Sequence, residues 1–443
     1  MQKGLGLRKF IFDFKTKILQ PKLYRTYIAN ERRIHSENLY EINFNKRKEL
    51  VEQAIKHSAY YKEKYAALAM DSLKMQSEKD FEKLPILTRE ELRHNFDGII
   101  AKNISNKKYY KLSTSGSSGP AITVLHDKRV PSAPTQWRLL QWWGIKPYEN
   151  KAFIYRYPKT IVSKILNTLL WWPTKRVFLA GTEMDEGHMH DFVQAINKTK
   201  PTLLQGYTDV VYEFALFIVD NKLQIHAPKA VWVTSSPLTK QQRVTMQQAF
   251  GAPVYDQYGS TEVLYVAAEC SQQKGMHILQ DMVYVECVDE NNRPVPPNTL
   301  GKLLLTDLNN YAFPLIRYEI GDFGRLLSSK CSCGMPLPLM DNVKGRQDAV
   351  IITPSGIQLN GVFLSSIFDD FPDSIRAYQF LQEKDYSLTL NYIPMNGKKV
   401  DTIIAEVINR LKEVSGKEIK ILSRRVDQVS KINGKAPMVL KSK

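Results

Sequence analysis

The chain has 443 residues, 43% hydrophobic and 10% aromatic, with 62 Lys plus Arg against 45 Asp plus Glu and a formal net charge of +17. That much apolar material excludes a disordered or fibrous chain, and at about 150 residues per domain it predicts two or three buried cores. Four cysteines (Cys270, Cys287, Cys331 and Cys333) are too few and too clustered for a disulfide framework, which predicts a reducing, cytoplasmic compartment.

Residues 1–33 hold nine Lys/Arg and two acidic residues. Phe10, Ile11, Phe14, Ile18 and Leu19 recur at three- and four-residue spacing, predicting an amphipathic helix with a basic polar face. It reads as a peripheral membrane contact at the inner face, or as a helix packed on the body with its charges solvated. Charge runs are usually of the second kind. The charges also interrupt any export signal. Residues 24–67 read as helical, with Leu39, Ile42, Leu50, Val51, Ala54 and Ile55 on one face. After Pro85, Thr88 and Glu91 form a capping box that opens another helix.

From about 150 to 330, short runs at 152–155, 203–205, 230–234 and 253–256 alternate with helical stretches, the pattern of an α/β sheet with crossovers. The apolar stretch 161–180 is broken by Lys164, Pro173, Lys175 and Arg176, and falls short of the roughly 20 clean residues of a spanning helix. Residues 300–308 and 315–327 read as two antiparallel strands. Beyond Arg346 a strand, a turn at Pro354–Gly356, a helix from about Gly361 and a strand–helix–strand ending suffice for a small α+β unit of about 95 residues. No zinc-finger spacing, RNA-binding signature or long basic run points to nucleic acid, so no nucleic-acid partner is expected. The charge equally suits an enzyme that handles ATP and anionic substrates.

Residues Lys111–Asp127 read KLSTSGSSGPAITVLHD. Ser113, Thr114, Ser115, Gly116, Ser117, Ser118 and Gly119 can curl amides and hydroxyls around phosphate oxygens, since Gly permits the turns and a close approach. The ending of a Walker A loop is missing. Further on, VYDQYGSTEV places Tyr258, Gly259, Ser260, Thr261 and Glu262 in one turn after a strand. NYAFPLIRYEIGDFG delivers Asp322 after a Gly, VKGRQDAV carries Arg346 and Asp348, and SKINGKAPMVL carries Lys435.

In this order and spacing the segments resemble the adenylate-forming superfamily, in its phenylacetate–CoA ligase-like branch often labelled CapK. The resemblance runs from about residue 80 to the end. It implies an α/β fold: a large N-terminal adenylate-forming domain with mixed sheets and helices, plus a small mobile α+β C-terminal domain. The implied division is a basic helical segment 1–79, an adenylation domain 80–344, a hinge 345–348 and a terminal domain 349–443.

The resemblance further implies that Ser113–Gly119 hold the ATP phosphates, Tyr258 lies against the adenine beside Gly259 and Ser260, and Thr261 meets the α-phosphate. Glu262 would bind Mg2+, Asp322 would accept the ribose hydroxyls, Arg346 would approach ribose and phosphates, and Asp348 would be the pivot. Lys435 would neutralise the α-phosphate and the attacking carboxylate. The implied reaction joins a small-molecule carboxylate to ATP, giving acyl-adenylate, and passes the acyl group to CoA or to an amine acceptor on a sugar or other small molecule. Members of the branch are associated with cell-surface polysaccharide assembly. A protein that keeps the fold as a non-catalytic nucleotide-binding scaffold is the reading of another class. Ser236 stands where relatives commonly carry Glu.

Cys270, His277, Cys331 and Cys333 form a second constellation. They either complete a four-ligand structural zinc site or pack as buried thiols. Cys287, in the apolar run VYVECV, reads as core. His126 reads as a surface side chain at a strand end, His188 and His190 as parts of a solvated acidic loop, and Trp137, Trp142 and Trp143 as core or pocket wall.

Overall fold

The computed structural model describes every residue except 1–2, 35–37, 67–74, 115–120, 156–159, 344, 347–349, 360, 369, 372–373, 433–435 and 443. The described part of the first hundred residues is mostly helical: α1 (Lys3–Phe14), extended by a π-helical turn over Lys15–Leu19, then α2 (Pro21–Ile34), α3 (Leu39–His57), α4 (Ala59–Ala66), α5 (Glu78–Glu82), α6 (Arg89–His94) and α7 (Phe96–Ile99). Pro21 opens α2, where its missing N–H costs nothing. Leu39, Leu50, Val51 and Ala54 are buried on one face of α3, as their spacing predicts. Thr88 caps α6: its hydroxyl accepts from Glu91 N, and the Glu91 carboxylate accepts from Thr88 N at 2.9 Å. Arg47 fastens α3 to the body, fully buried, paired through both terminal nitrogens with Glu78 and stacked 3.7 Å from the Tyr284 ring.

Strands β1 (Tyr109–Ser113) and β2 (Thr123–Asp127) form an antiparallel hairpin, and α8 (Ala133–Trp142) follows. The alternation then becomes a wound sheet: β3 (Lys151–Tyr155), α9 (Ile161–Trp171), β4 (Arg176–Ala180), α10 (Glu186–Thr199), β5 (Leu203–Tyr207), α11 (Thr208–Asp220), β6 (Ala230–Thr234), α12 (Lys240–Phe250) and β7 (Val254–Tyr258). These five strands are parallel, in the order β4-β3-β5-β6-β7. Both faces are covered. Along β6, Val231 and Val233 enter a cluster with Phe192, Phe214 and Phe250. Ala230 and Trp232 point the other way, into a cluster with Trp137, Trp143 and Tyr255.

Antiparallel strands β8 (Ala267–Glu269) and β9 (Met276–Ile278) extend this sheet. Beyond them β10 (Val283–Val288), β11 (Gly301–Asp307) and β12 (Tyr318–Gly324) start a four-stranded sheet. β13 (Leu326–Leu327) and β14 (Leu339–Met340) complete the nine-stranded one, and β15 (Gly345–Arg346) pairs with β12. The predicted antiparallel pair over 300–327 is therefore β11 with β12.

The terminal unit has its own core, with Ile351, Leu364, Phe380, Leu390, Val407 and Leu411 buried together. It comprises β16 (Ile351–Ile352), β17 (Gln358–Leu359), α13 (Gly361–Ser366), β18 (Ile375–Gln382), β19 (Leu388–Pro394), α14 (Asp401–Val414), β20 (Ile421–Arg425) and β21 (Val439–Lys441). The order β20-β19-β18-β21 makes a four-stranded mixed sheet, one hairpin richer than the strand–helix–strand ending read from the sequence. Lys431 Nζ reaches Glu213 on α11 at 2.9 Å. Among the described residues no helix is long and apolar enough to cross a membrane.

Candidate active site

The parallel strand order places a switch point between β3 and β5: the chain winds outward to β4, then crosses back to the other side. In open α/β sheets, ligands bind beyond the carboxyl ends of strands at such a point. Tyr155 ends β3 and Tyr207 ends β5, with ring centroids 6.4 Å apart. Burial pushes the Tyr155 hydroxyl up to about 12, so it stays a neutral donor. The Thr208 hydroxyl binds the carbonyls of Thr234 and Ser236 at 3.1 and 3.0 Å, which fixes the turn after β6 beside them. Ser235 in that turn has φ +83°, a conformation that favours glycine. Neither tyrosine has a signal of its own in the sequence; only the strand order gives them a place.

The YGSTE turn leaves β7 at the next strand end. Gly259 is dictated by a close approach, because a Cβ there would stand 2.1 Å from the Leu264 carbonyl oxygen. Ser260 shapes the turn, its hydroxyl accepting from the amides of Glu262 and Val263 at 3.1 and 3.0 Å. Two buried hydrogen bonds then fasten the turn to β12. The Tyr258 hydroxyl donates to Asp322 Oδ2 at 2.8 Å, and the Tyr318 hydroxyl donates to Glu262 Oε1 at 3.2 Å. Tyr258, Glu262 and Asp322 are buried and Thr261 is half-buried. The backbone of Arg346 on β15 lies in register with Asp322.

The hairpin that carries the Ser/Gly loop is tied to the same turn. His126 on β2 is buried, its Nε2 lies 2.7 Å from the Thr261 carbonyl oxygen, and its ring stacks on Tyr110. The expectation of a surface histidine is thus corrected: β2 lies against the YGSTE turn, so the strand end is an interior position. At the loop's roots the Ser113 and Thr123 hydroxyls pair at 2.9 Å, and Thr114 Oγ1 accepts from Ile122 N at 2.8 Å. Ser115, Gly116, Ser117, Ser118, Gly119, Asp348, Lys435 and the Arg346 side chain lie outside the described residues. The structure therefore brings together Tyr258, Gly259, Ser260, Thr261, Glu262 and Asp322, with Ser113 and Thr114 on the adjoining hairpin. Sequence reasoning missed Tyr318 and the role of His126, whose partners lie far along the chain.

The cysteine–histidine set also converges. Cys270 follows β8, His277 lies on β9, and Cys331 and Cys333 precede β14; one ligand atom from each falls within 4.8 Å of the others. Cys270 Sγ and Cys331 Sγ are 3.6 Å apart, far beyond the bond length of about 2.05 Å in a disulfide. Cys333 Sγ is 3.3 Å from His277 Nε2. A tetrahedral zinc with ordinary bond lengths has S···S edges of about 3.8 Å and S···N edges of about 3.5 Å, so these residues fit that ion. Burial lowers the His277 pKa, keeping the imidazole in its neutral, ligating form. The Trp142 ring stands edge-on to His277, and the Gln272 amide points at Cys270 Sγ. Cys287 lies apart, buried, with Sγ 3.2 Å from the Gly324 carbonyl oxygen. His188 sits exposed in the first turn of α10, beside the capping Asp185.

Residues 351–442 match the family model of the CapK C-terminal domain. Protein CapK of Staphylococcus aureus is 24% identical over 324 residues, 71% of this chain and 70% of that protein. A phenylacetate-coenzyme A ligase of Thermus thermophilus is 28% identical over 158 residues, 35% of each chain. The crystal structure of 2-hydroxyisobutyryl-CoA ligase in its postadenylation state, in complex with 2-HIB-AMP, is similar in fold, with TM-score 0.74 and 18% identity over 90% of this chain and 89% of that one. Residues 351–442 thus carry the CapK C-terminal domain, and over most of its length the chain is similar in sequence to CapK and in fold to 2-hydroxyisobutyryl-CoA ligase.

Proposed function

We propose that this protein is an AMP-forming carboxylate ligase that activates an organic acid as its acyl-adenylate and passes the acyl group to CoA. The observation that carries the reading is the paired fastening of the YGSTE turn to β12, which sets Tyr258, Glu262 and Asp322 into one buried corner at the strand ends. In support, its sequence relatives include phenylacetate-coenzyme A ligases, and a CoA ligase of similar fold is crystallised in complex with 2-HIB-AMP.

In this reading the adenine lies against Tyr258, Asp322 accepts from the ribose hydroxyls, and Ser113–Gly119 wrap the β- and γ-phosphates. Glu262 holds Mg2+, which would neutralise phosphate charge. A carboxylate oxygen attacks the α-phosphorus, the bond to pyrophosphate breaks, and Lys435 offsets the repulsion between the two anions. The acid lies near Tyr155 and Tyr207 at the switch point. In the thioester step the CoA sulfur attacks the acyl carbon and AMP leaves. Residues 80–344 form the adenylation domain and 349–443 the terminal domain, which turns about 345–348 to exchange Lys435 for the acceptor. Cys270, His277, Cys331 and Cys333 hold a structural zinc, since four protein ligands leave no open position. A role in cell-surface polysaccharide assembly belongs to the same proposal, with the likeness to CapK as its support.

The test is ATP–pyrophosphate exchange over aryl, fatty, amino and hydroxy acids. One acid should support exchange, Lys435→Ala should abolish it, and the same variant should still convert supplied acyl-adenylate to thioester. No exchange with any acid would overturn the reading in favour of a scaffold. Wild-type protein that converts acyl-adenylate with an amine but not with CoA would move the acceptor to an amine.

A further inference from the structure

The N-terminal helix reverses the arrangement expected of an amphipathic element on a protein body. Its inner side is anchored: Phe12 stands edge-on to Trp137 at 5.0 Å, Thr16 is buried, and Arg8 donates to Asn150 at 2.9 Å. Leu7, Phe10, Phe14, Ile18 and Leu19, at helical spacing, face outward, with Phe10 67% exposed. A soluble helix that buries its apolar stripe does the opposite.

A second helix, remote in sequence, does the same. On α9 the side chains of Val162, Ile165, Leu166, Leu169 and Leu170 are exposed, Leu169 at 66%, and Trp172 follows at 59%. The two helices are joined. Lys15 Nζ donates to the carbonyl oxygens of Leu170 and Trp172 at 3.0 and 3.1 Å, placing a cation on the last-turn acceptors of α9. Arg176 stacks on Trp171 at 4.1 Å and holds the end of α9 to the sheet. Eleven of the twenty exposed large apolar side chains among the described residues lie on these two segments. Exposed apolar side chains concentrated on two joined segments mark an interaction surface.

Charge decides the partner. Lys9, Lys17, Lys22, Arg25 and Lys175 are exposed around the face. Residues 1–33 carry nine basic and two acidic residues, and residues 151–182 contain no Asp or Glu. A second copy of the chain would bring basic rim against basic rim, whereas an anionic bilayer supplies hydrocarbon for the apolar residues and phosphates for the cations. Neither helix can span. We propose that α1 and α9 together form one docking face for an anionic lipid surface, on which the protein lies without crossing. Because α9 begins a few residues after Tyr155, docking brings the strand ends of the active site close to that surface.

The full chain should float with vesicles of phosphatidylcholine mixed with phosphatidylglycerol, and bind phosphatidylcholine alone about tenfold less. Added salt should weaken the binding. Phe10→Glu/Phe14→Glu and Leu166→Glu/Leu169→Glu should each lower partitioning by about tenfold or more, with thermal unfolding unchanged because the replaced side chains are exposed. No flotation with the anionic vesicles would overturn the proposal. So would loss of binding in the α1 pair with none in the α9 pair, since the face would then not be shared. A concentration-dependent dimer in sedimentation velocity, dissociated by Leu166→Glu/Leu169→Glu, would assign the face to a second copy instead.

Discussion

Tyr258 does two things with one side chain: its ring borders the proposed adenine position while its hydroxyl holds Asp322, the proposed ribose acceptor. Removing the hydroxyl keeps the ring and takes one hydrogen bond from the carboxylate, at a net cost of about 1 kcal/mol. Tyr258→Phe should therefore raise the KM for ATP in exchange assays by about fivefold and change kcat little. An unchanged KM would mean that Asp322 is held by its other neighbours. The sequence makes both residue types legible through the motifs they sit in, but not their contact, which spans 64 positions. His126 fails for a related reason. Local pattern marks a strand end, and only packing of the hairpin on the YGSTE turn buries it.

Among the elements, those with strong local signals were legible: the capping box of α6, the apolar face of α3 and the alternation behind β3, β5, β6 and β7. The helical spacing of α1 was also legible, while the choice between a packed and an outward apolar stripe was not, because periodicity identifies an apolar face without saying what covers it. The short strands β8, β9 and β14 are nearly invisible to pattern, being two or three residues long. They nevertheless bring two sequence-distant Cys/His groups into one cluster. Protein purified without chelator should carry one zinc per chain by elemental analysis. Cys331→Ser/Cys333→Ser should lose it, with stability falling by at least about 2 kcal/mol, a drop in Tm of about 5 °C or more. Metal-free wild-type protein of unaltered Tm would return the three cysteines to the status of unligated thiols packed beside His277.

For the whole molecule, stability against pH has an identifiable contributor in the wound sheet. Burial, together with nearby Glu269, pushes the Asp256 carboxyl on β7 up from 3.8 to about 8. The folded chain thus holds a proton that the unfolded chain releases near pH 4, so this residue's contribution is fully present below that pH and is lost as pH rises through 8. Asp256→Asn keeps the shape and removes the titration. Relative to wild type, the variant should gain stability steadily from pH 4 to pH 8 in denaturant unfolding; parallel curves would show that Asp256 ionises normally.

The terminal unit follows β15 in the chain, and among the described residues β15 is attached to β12 at two register pairs, one of them opposite Asp322. Its point of departure is thus beside the proposed nucleotide rather than at a remote edge of the molecule. Rotation about such a point sweeps distant residues through a wide arc while hardly displacing the chain next to the axis. In mechanical terms the proposed hinge would make the protein a crank with its axle at the proposed nucleotide site: one nucleotide would stay seated while the groups presented to it are exchanged.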